Sequence, residues 1–379
     1  MTLRRLLAAA VAVPLIAVTP YGAATAAPAV RTADGPTTEA VHRSARGALF
    51  NEAGETGLRR ALLSNVNAAP RGSTIRVVTM SYTDPKATAA LTRAHRRGVD
   101  VQVLVSKQKT EGVGTVAGLG QVLNRSSRDG SFLERIDHSA RGPSRYRGRG
   151  TTLHQKSWTF SRTGSSRWVT IITSANITNE AVDLQYNDGY AWVGEKARYD
   201  AMSAIFRAQR RDRPISSPFR SALGGALLFG PHNPGMSDPV VNRIDALPTR
   251  GLQIRIGVAA WSGGRGEAIA RALAAKARAG ASINVLVPDP LSDNVRAVLE
   301  SAGITLLRGD WTRPGNGGQY LHAKFMTAQW RTDAGRVTRV WFGSENWGDA
   351  PRGSDEITAR IDRPAAHDSW VRWFREIRL

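Results

Sequence analysis

Two short stretches of the chain repeat the same reactive side chains. Leu153-His154-Gln155-Lys156 recurs as Leu321-His322-Ala323-Lys324, and a Ser-x-Asn follows each: Ser174 and Asn176 in the first copy, Ser344 and Asn346 in the second. His to Asn is 22 residues in one copy and 24 in the other. A neutral imidazole is a nucleophile or a general acid–base near neutral pH. A lysine is a compact cation for anionic oxygens, and serine and asparagine donate hydrogen bonds. A nucleophile, a cationic clamp and amide donors, each supplied twice, are what a phosphodiester-cleaving site built across a pseudo-twofold axis would need. The chain has 52 lysines and arginines, but only seven are lysines, and it has seven histidines. Two His-x-Lys pairs with matched Ser-x-Asn partners are therefore a specific signal.

These residues need elements to hold them. Residues 154–161 alternate in polarity, residues 167–174 are β-rich, and Arg162 to Ser166 between them reads as a turn, so the segment is a hairpin. Lys324–Gln329 and Arg336–Phe342 form a second hairpin around Thr332 to Gly335. Turns centred near Gly164 and Asp333 would set His154 opposite Ser174 and His322 opposite Ser344. Period-two geometry would then put His, Lys, Ser and Asn of each copy on one face.

Upstream of each hairpin lies a strand–helix–strand pattern. In the first copy it is Thr74–Met80, Lys86–Arg97 ending at Gly98, and Val99–Val105; in the second it is Leu252–Val258, Glu267–Ala279 ending at Gly280, and Ser282–Val287. Gly47–Asn51 and Gly225–Phe229 open the two halves alike. The expected fold class is α/β: two pseudo-twofold-related halves, at 41–212 and 219–379, each a mixed or parallel sheet flanked by helices.

The residues resemble the phospholipase D superfamily, whose signature is His-x-Lys with an Asp after four further residues, then a Gly-Ser or Gly-Gly type segment ending in Asn, then a carboxylate. The resemblance spans most of the chain. It holds at His154, Lys156, Ser174 and Asn176 and again at His322, Lys324, Ser344 and Asn346. It departs where Ser161 and Gln329 replace the signature Asp and where Thr173 replaces the first Gly. The resemblance implies a phospholipase D-like fold and a phosphohistidine intermediate on His154. It makes His322 the general acid and then base, Lys156, Lys324, Asn176 and Asn346 the phosphate grip, and Ser174 and Ser344 further donors. It also implies a carboxylate behind each catalytic histidine. Glu356 and Asp188 are the candidates, with Asp355 and Asp183 as competitors.

Two basic, glycine-containing loops precede the histidines. Arg141 to Gly150 carries Arg141, Arg145, Arg147 and Arg149, and Trp311 to Gly318 carries Trp311 and Arg313. Arg145, Arg147 and Trp311 are candidate substrate contacts. Tyr146, Trp158, Trp261 and Trp347 could line an apolar wall or pack in a core. No metal or other cofactor is expected. The other five histidines show no paired metal-ligand spacing, and the absence of cysteine excludes thiolate zinc sites and thiol catalysis.

Net charge is +21 over 379 residues, which favours polyanionic partners: nucleic acid, anionic lipid or anionic wall polymer. Arg4 and Arg5, the apolar run Leu6–Val18 and Ala24-Thr25-Ala26 read as a secretory signal over 1–26, followed by a linker over 27–40. The expectation is a secreted, monomeric phosphodiesterase that hydrolyses or exchanges phospholipid head groups, with peripheral contact to anionic membrane. The alternatives are a secreted metal-independent nuclease of the same superfamily and a noncatalytic basic binder.

Overall fold

The computed structural model describes residues 42–125, 130–143 and 150–379. β-branched and apolar runs form two mixed sheets. The first contains β1 (Gly47–Asn51), β2 (Thr74–Thr79), β3 (Asp100–Ser106), β4 (Phe132–Ile136), β5 (Ser157–Thr163), β6 (Ser166–Thr173) and β7 (Gln185–Trp192). The second contains β8 (Arg220–Ala222), β9 (Leu227–Phe229), β10 (Gln253–Val258), β11 (Ser282–Leu286) and β12 (Thr305–Leu307). It continues with β14 (Lys324–Thr332), β15 (Gly335–Gly343) and β16 (Ile357–Ile361), while the short β13 (Tyr320–Leu321) crosses over to pair with β7.

The duplication is visible in the strand order. The first sheet runs β4-β3-β2-β5-β6-β7-β1 and the second β12-β11-β10-β14-β15-β16-β9, with β8 added at its end. In each, three parallel strands abut an antiparallel hairpin. Helices Pro85–Arg96 and Gly263–Arg278 supply the first parallel crossover of each half. Asp84 starts the former: its carboxylate accepts from the Lys86 amide at 2.8 Å, with Pro85 in the first turn.

The hairpins exist in both halves, but their register is one residue away from the expected one. Ser157 faces Ile172 and Phe325 faces Phe342, because both turns are two-residue, Gly164-Ser165 and Asp333-Ala334. The ladders also begin only at Ser157 and Lys324, so neither histidine sits on its own hairpin. A strand-face argument therefore does not place the site.

Among the described residues, three large cores and a smaller cluster around Leu104, Leu153 and Phe206 hold the molecule. One is built from the first half around Val77, Leu91 and Trp158, and one from the second half around Ile256, Leu273 and Trp261. The third is shared: Tyr186, Tyr190 and Trp192 pack with Phe325, Phe342, Trp370 and Trp373. Trp370 is fully buried there, edge-on to Phe50 with ring centroids 5.2 Å apart and 5.1 Å from Phe342. Val41–Leu379 accordingly forms one compact unit. No helix among the described residues is long and apolar enough to cross a membrane.

Candidate active site

Each histidine is positioned by the opposite half. The amides of His154 and Gln155 donate to the Asp355 carbonyl at 3.0 and 2.8 Å, just before β16. The amides of His322 and Ala323 donate to the Tyr186 carbonyl in β7 at 2.9 and 2.8 Å. Leu153 bridges Asp355, and β13 pairs in parallel with the start of β7, so the two exchanges are alike.

The side chains repeat the exchange with one chemical difference. His154 Nδ1 lies 2.8 and 2.9 Å from the two carboxylate oxygens of Glu356. His322 Nδ1 lies 2.9 Å from the amide oxygen of Asn187. The Asn187 amide group is fixed, since its Nδ2 donates to the Ala181 carbonyl at 3.1 Å and the Ser174 hydroxyl donates to its Oδ1 at 2.9 Å. His322 must therefore carry its proton on Nδ1. The carboxylate of Glu356 imposes the same tautomer on His154, and the Ser344 hydroxyl donates to that carboxylate. Each ring is left with Nε2 as its reactive nitrogen.

Both lysines are buried beside their own histidines. Lys156 Nζ donates to the His154 carbonyl at 2.6 Å, and Lys324 Nζ donates to that of His322. Burial holds the Lys156 ammonium well below its usual range, against the pull of Glu356. Burial likewise brings Lys324 down to about 7, against Asp188 and Glu356. His154 is lowered by burial, partly offset by Glu356. His322 falls well below its ordinary value through burial, then through Lys324, Lys156 and His154. The groups of both copies thus act on one another across the boundary between the halves.

Asn176 and Asn346 stand on the loops after β6 and β15, half-buried. Asn176 Oδ1 accepts from the Ser81 amide at 3.3 Å, and the Asn346 carbonyl accepts from Arg265 at 3.1 Å. Gly343 lets the second loop fold tightly: its φ is +156°, and a Cβ there would sit 2.0 Å from the Ile357 carbonyl oxygen. A buried charge network braces this loop, with Arg265 paired to Asp238 at 2.5 Å and to Glu345 at 2.6 Å.

Several expected roles are corrected. Asp188 does not hold His322. Its carboxylate is fully buried, accepts from the Trp370 indole at 3.1 Å, and is raised by burial to about 6. Asn187, one residue earlier, takes that place. Backbone pairing gives the equivalence: the Ser344 amide donates to the Ile357 carbonyl and the Ser174 amide to that of Asp188, so Glu356 and Asn187, one residue before each, correspond. Ser174 and Ser344 are fully buried and orient Asn187 and Glu356 rather than meeting substrate. Trp311 is 8% exposed and packs on Tyr186 with centroids 5.3 Å apart, so it supports β7, whose Tyr186 carbonyl holds the His322 amide. Trp158, Trp261 and Trp347 are core residues too.

Asp355, a competitor for Glu356, is taken by Arg141 in a buried ion pair at 3.2 Å, which also removes Arg141 from the substrate candidates. Arg145, Arg147, Arg149 and Tyr146 lie outside the described residues. At the positions of the signature Asp, the Ser161 hydroxyl accepts from the Thr74 amide at 2.8 Å, and Gln329 faces Thr338. Among the described residues no cluster of three or more His, Asp or Glu side chains is grouped to hold a metal ion.

Residues 62–208 match the family described as cardiolipin synthase, PLD-like domain. Residues 62–208 are a phospholipase D-like domain. Among solved structures, the chain is similar to phosphatidylserine synthase from Haemophilus influenzae Rd KW20. The identity is 13% and the TM-score 0.59, over 88% of this chain and 87% of that one. It is also similar to polyphosphate kinase from Porphyromonas gingivalis, at 14% identity and a TM-score of 0.57 over 86% of this chain. The match spans 49% of the kinase, about half its length. At these identities the likeness shows the phospholipase D-like fold. No curated protein matches the chain.

Proposed function

We propose that the chain is a phosphodiesterase that cleaves the head-group phosphodiester of a phospholipid through a phosphohistidine on His154. The observation that carries this reading is the unequal support of the two imidazoles: a carboxylate behind His154 and a neutral amide behind His322. When His154 Nε2 attacks phosphorus, the P–O bond to the leaving alcohol breaks and the ring becomes cationic. Glu356 stabilises that cation, as a triad carboxylate does. His322 has no anion behind it, so its protonated form is a strong acid and gives its proton readily to the leaving oxygen. An arriving phosphodiester brings the negative charge that lets His322 hold that proton among two lysines. In the second step water, or an acceptor alcohol, gives its proton to His322 and its oxygen to phosphorus, and the P–N bond breaks. Lys156, Lys324, Asn176 and Asn346 hold the non-bridging oxygens.

The phospholipid assignment is supported by the cardiolipin synthase description of the matching family and by the likeness to a phosphatidylserine synthase. A second reading, a nuclease with the same chemistry, is favoured by the net charge of +21, since phosphate neutralisation drives nucleic-acid binding. Choline release from phosphatidylcholine vesicles and plasmid degradation, both run in chelator, separate the two. Head-group release that needs His154 is expected; plasmid cleavage that needs His154, with no head-group release, would select the nuclease. Undiminished turnover by His154→Ala would reject the mechanism for both. We also read the enzyme as secreted, on the signal over 1–26. An N-terminus near Ala27 on protein recovered from medium is the expected result, and an intact Met1 would count against it.

A further inference from the structure

A second concentration of positive charge lies under the C-terminal helix, Pro364–Glu376. An open cleft of about 310 Å³ separates this helix from β10, β14 and β15, and Arg255, Arg336, Arg372, Arg375, His367 and Gln329 line it. Register places the strand residues on one face: Gln253 opposite Gln329, Arg255 opposite Thr327, and Gln329 opposite Thr338. Gln329 is five residues along β14 from Lys324, about 17 Å of extended strand, so the cleft is remote from the catalytic histidines.

The cleft has more cation than its own groups neutralise. Asp368 is the one carboxylate among its lining residues, and Arg336 engages it; His367 Nδ1 lies 3.0 Å from both Asp368 and the Arg336 guanidinium, and accepting from Arg336 puts the ring proton on Nε2. His367 is 1% exposed, yet its Nε2 has no partner among the described residues. On the sheet side Arg255 Nη1 and the Thr327 and Thr338 hydroxyls are also buried without a partner. Buried polar groups are ordinarily hydrogen-bonded, and a guanidinium keeps its charge in proteins.

The internal duplication provides the comparison. Arg76 in β2 faces Thr159 of β5 as Arg255 in β10 faces Thr327 of β14. Arg76 is satisfied: it donates to Gln102 at 2.9 Å, and to Tyr199 at 2.8 Å and Ser203 at 3.1 Å on the covering helix Lys196–Arg210. The corresponding helix of the second half brings Arg372, Arg375 and His367 to the cleft instead of neutral acceptors. The charged neighbours that act on Arg255 are Arg375, Arg378 and Arg336, all cations. Gln329, where the signature calls for Asp, adds no compensating charge.

We infer that this cleft binds a phosphate-class oxyanion, held by Arg255, Arg336 and Arg375 with His367 Nε2 as a further donor, at a site distinct from the His154–His322 pair. Guanidinium groups match the geometry of such an anion with paired N–H bonds, and the buried imidazole supplies a short-range donor. The bound group is a free phosphate or the phosphate of a lipid head group; both present the same oxygens.

Equilibrium dialysis of the full chain with radiolabelled inorganic phosphate tests this, alongside inhibition of turnover by phosphate. Wild type is expected to bind two equivalents. Arg255→Gln, and separately Arg375→Gln, should bind one, while the inhibition constant for phosphate at the catalytic pair stays within about twofold. In chloride buffer Arg255→Gln should melt no lower than wild type, because it removes a half-buried cation surrounded by cations; a brace would melt lower. Co-sedimentation with phosphatidylglycerol vesicles that is lost in both variants assigns a lipid head group, and its absence beside intact phosphate binding assigns free phosphate. A wild type that binds a single equivalent, or both variants retaining two, overturns the inference.

Discussion

Glu356 and Asn187 occupy equivalent places behind the two imidazoles and differ by one ionisable oxygen. That difference assigns the work. Glu356→Gln should lower kcat about 10²–10⁴-fold, because the amide can no longer stabilise a cationic His154, and single-turnover assays should show the loss in the first chemical step. Asn187→Asp places an anion behind His322 and raises its pKa. The limb of the pH–rate profile that follows His322 should move to higher pH, and an unmoved profile would contradict the role. Lys324 titrates near 7 and must be protonated to hold phosphate, so kcat/KM should decline as pH rises past that value. Lys324→Arg should push the decline upward.

Asp188 titrates in the opposite sense from an ordinary ion-paired acid. Its folded pKa of about 6 is raised above 3.8 by burial, so its contribution to stability is fully present below pH 3.8 and is lost as pH rises through 6. Asp188→Asn should therefore exceed wild type in stability at pH 8, by on the order of 3 kcal/mol. The difference should vanish below about pH 4 in chemical denaturation.

At the scale of elements, two carbonyls do the positioning, and both belong to residues next to the polar pair that orients the rings. Asp355 presents its carbonyl to His154 while its side chain is clamped by Arg141. Asp355→Ala leaves Arg141 buried and unpaired, which should cost about 3–5 kcal/mol in urea denaturation. Replacing both by apolar residues should cost less.

The strand–helix–strand units and both hairpins were legible because apolar periodicity and the glycines after the helices mark them locally. The register was not legible, since a turn centre can shift by one residue without changing the pattern of residue types, and that shift reverses every face. The identity of Glu356 could be read from its spacing, whereas Asn187 was hidden beside an acid, Asp188, of the type the family signature calls for. Burial, which set Ser174, Ser344 and Trp311 apart from substrate, depends on tertiary packing that residue type does not encode.

At the scale of the whole molecule, the shared aromatic core joins the copies into one unit. A single cooperative melting transition is expected by calorimetry; two separated transitions would deny the coupling. Trp370→Ala should lower stability by about 3–5 kcal/mol, because it opens the shared core and removes the donor to Asp188. Either half expressed alone should be inactive, because each lacks the group that orients its own histidine.

The unequal backing of the rings would also give the proposed reaction a direction. A symmetric frame would accept a diester either way round, whereas in the mechanism proposed above the alcohol would depart past the second imidazole and leave the retained fragment tethered to the first. A substrate that entered reversed would meet the acid where it needs the nucleophile. A frame built from two copies would then read its ligand from one end.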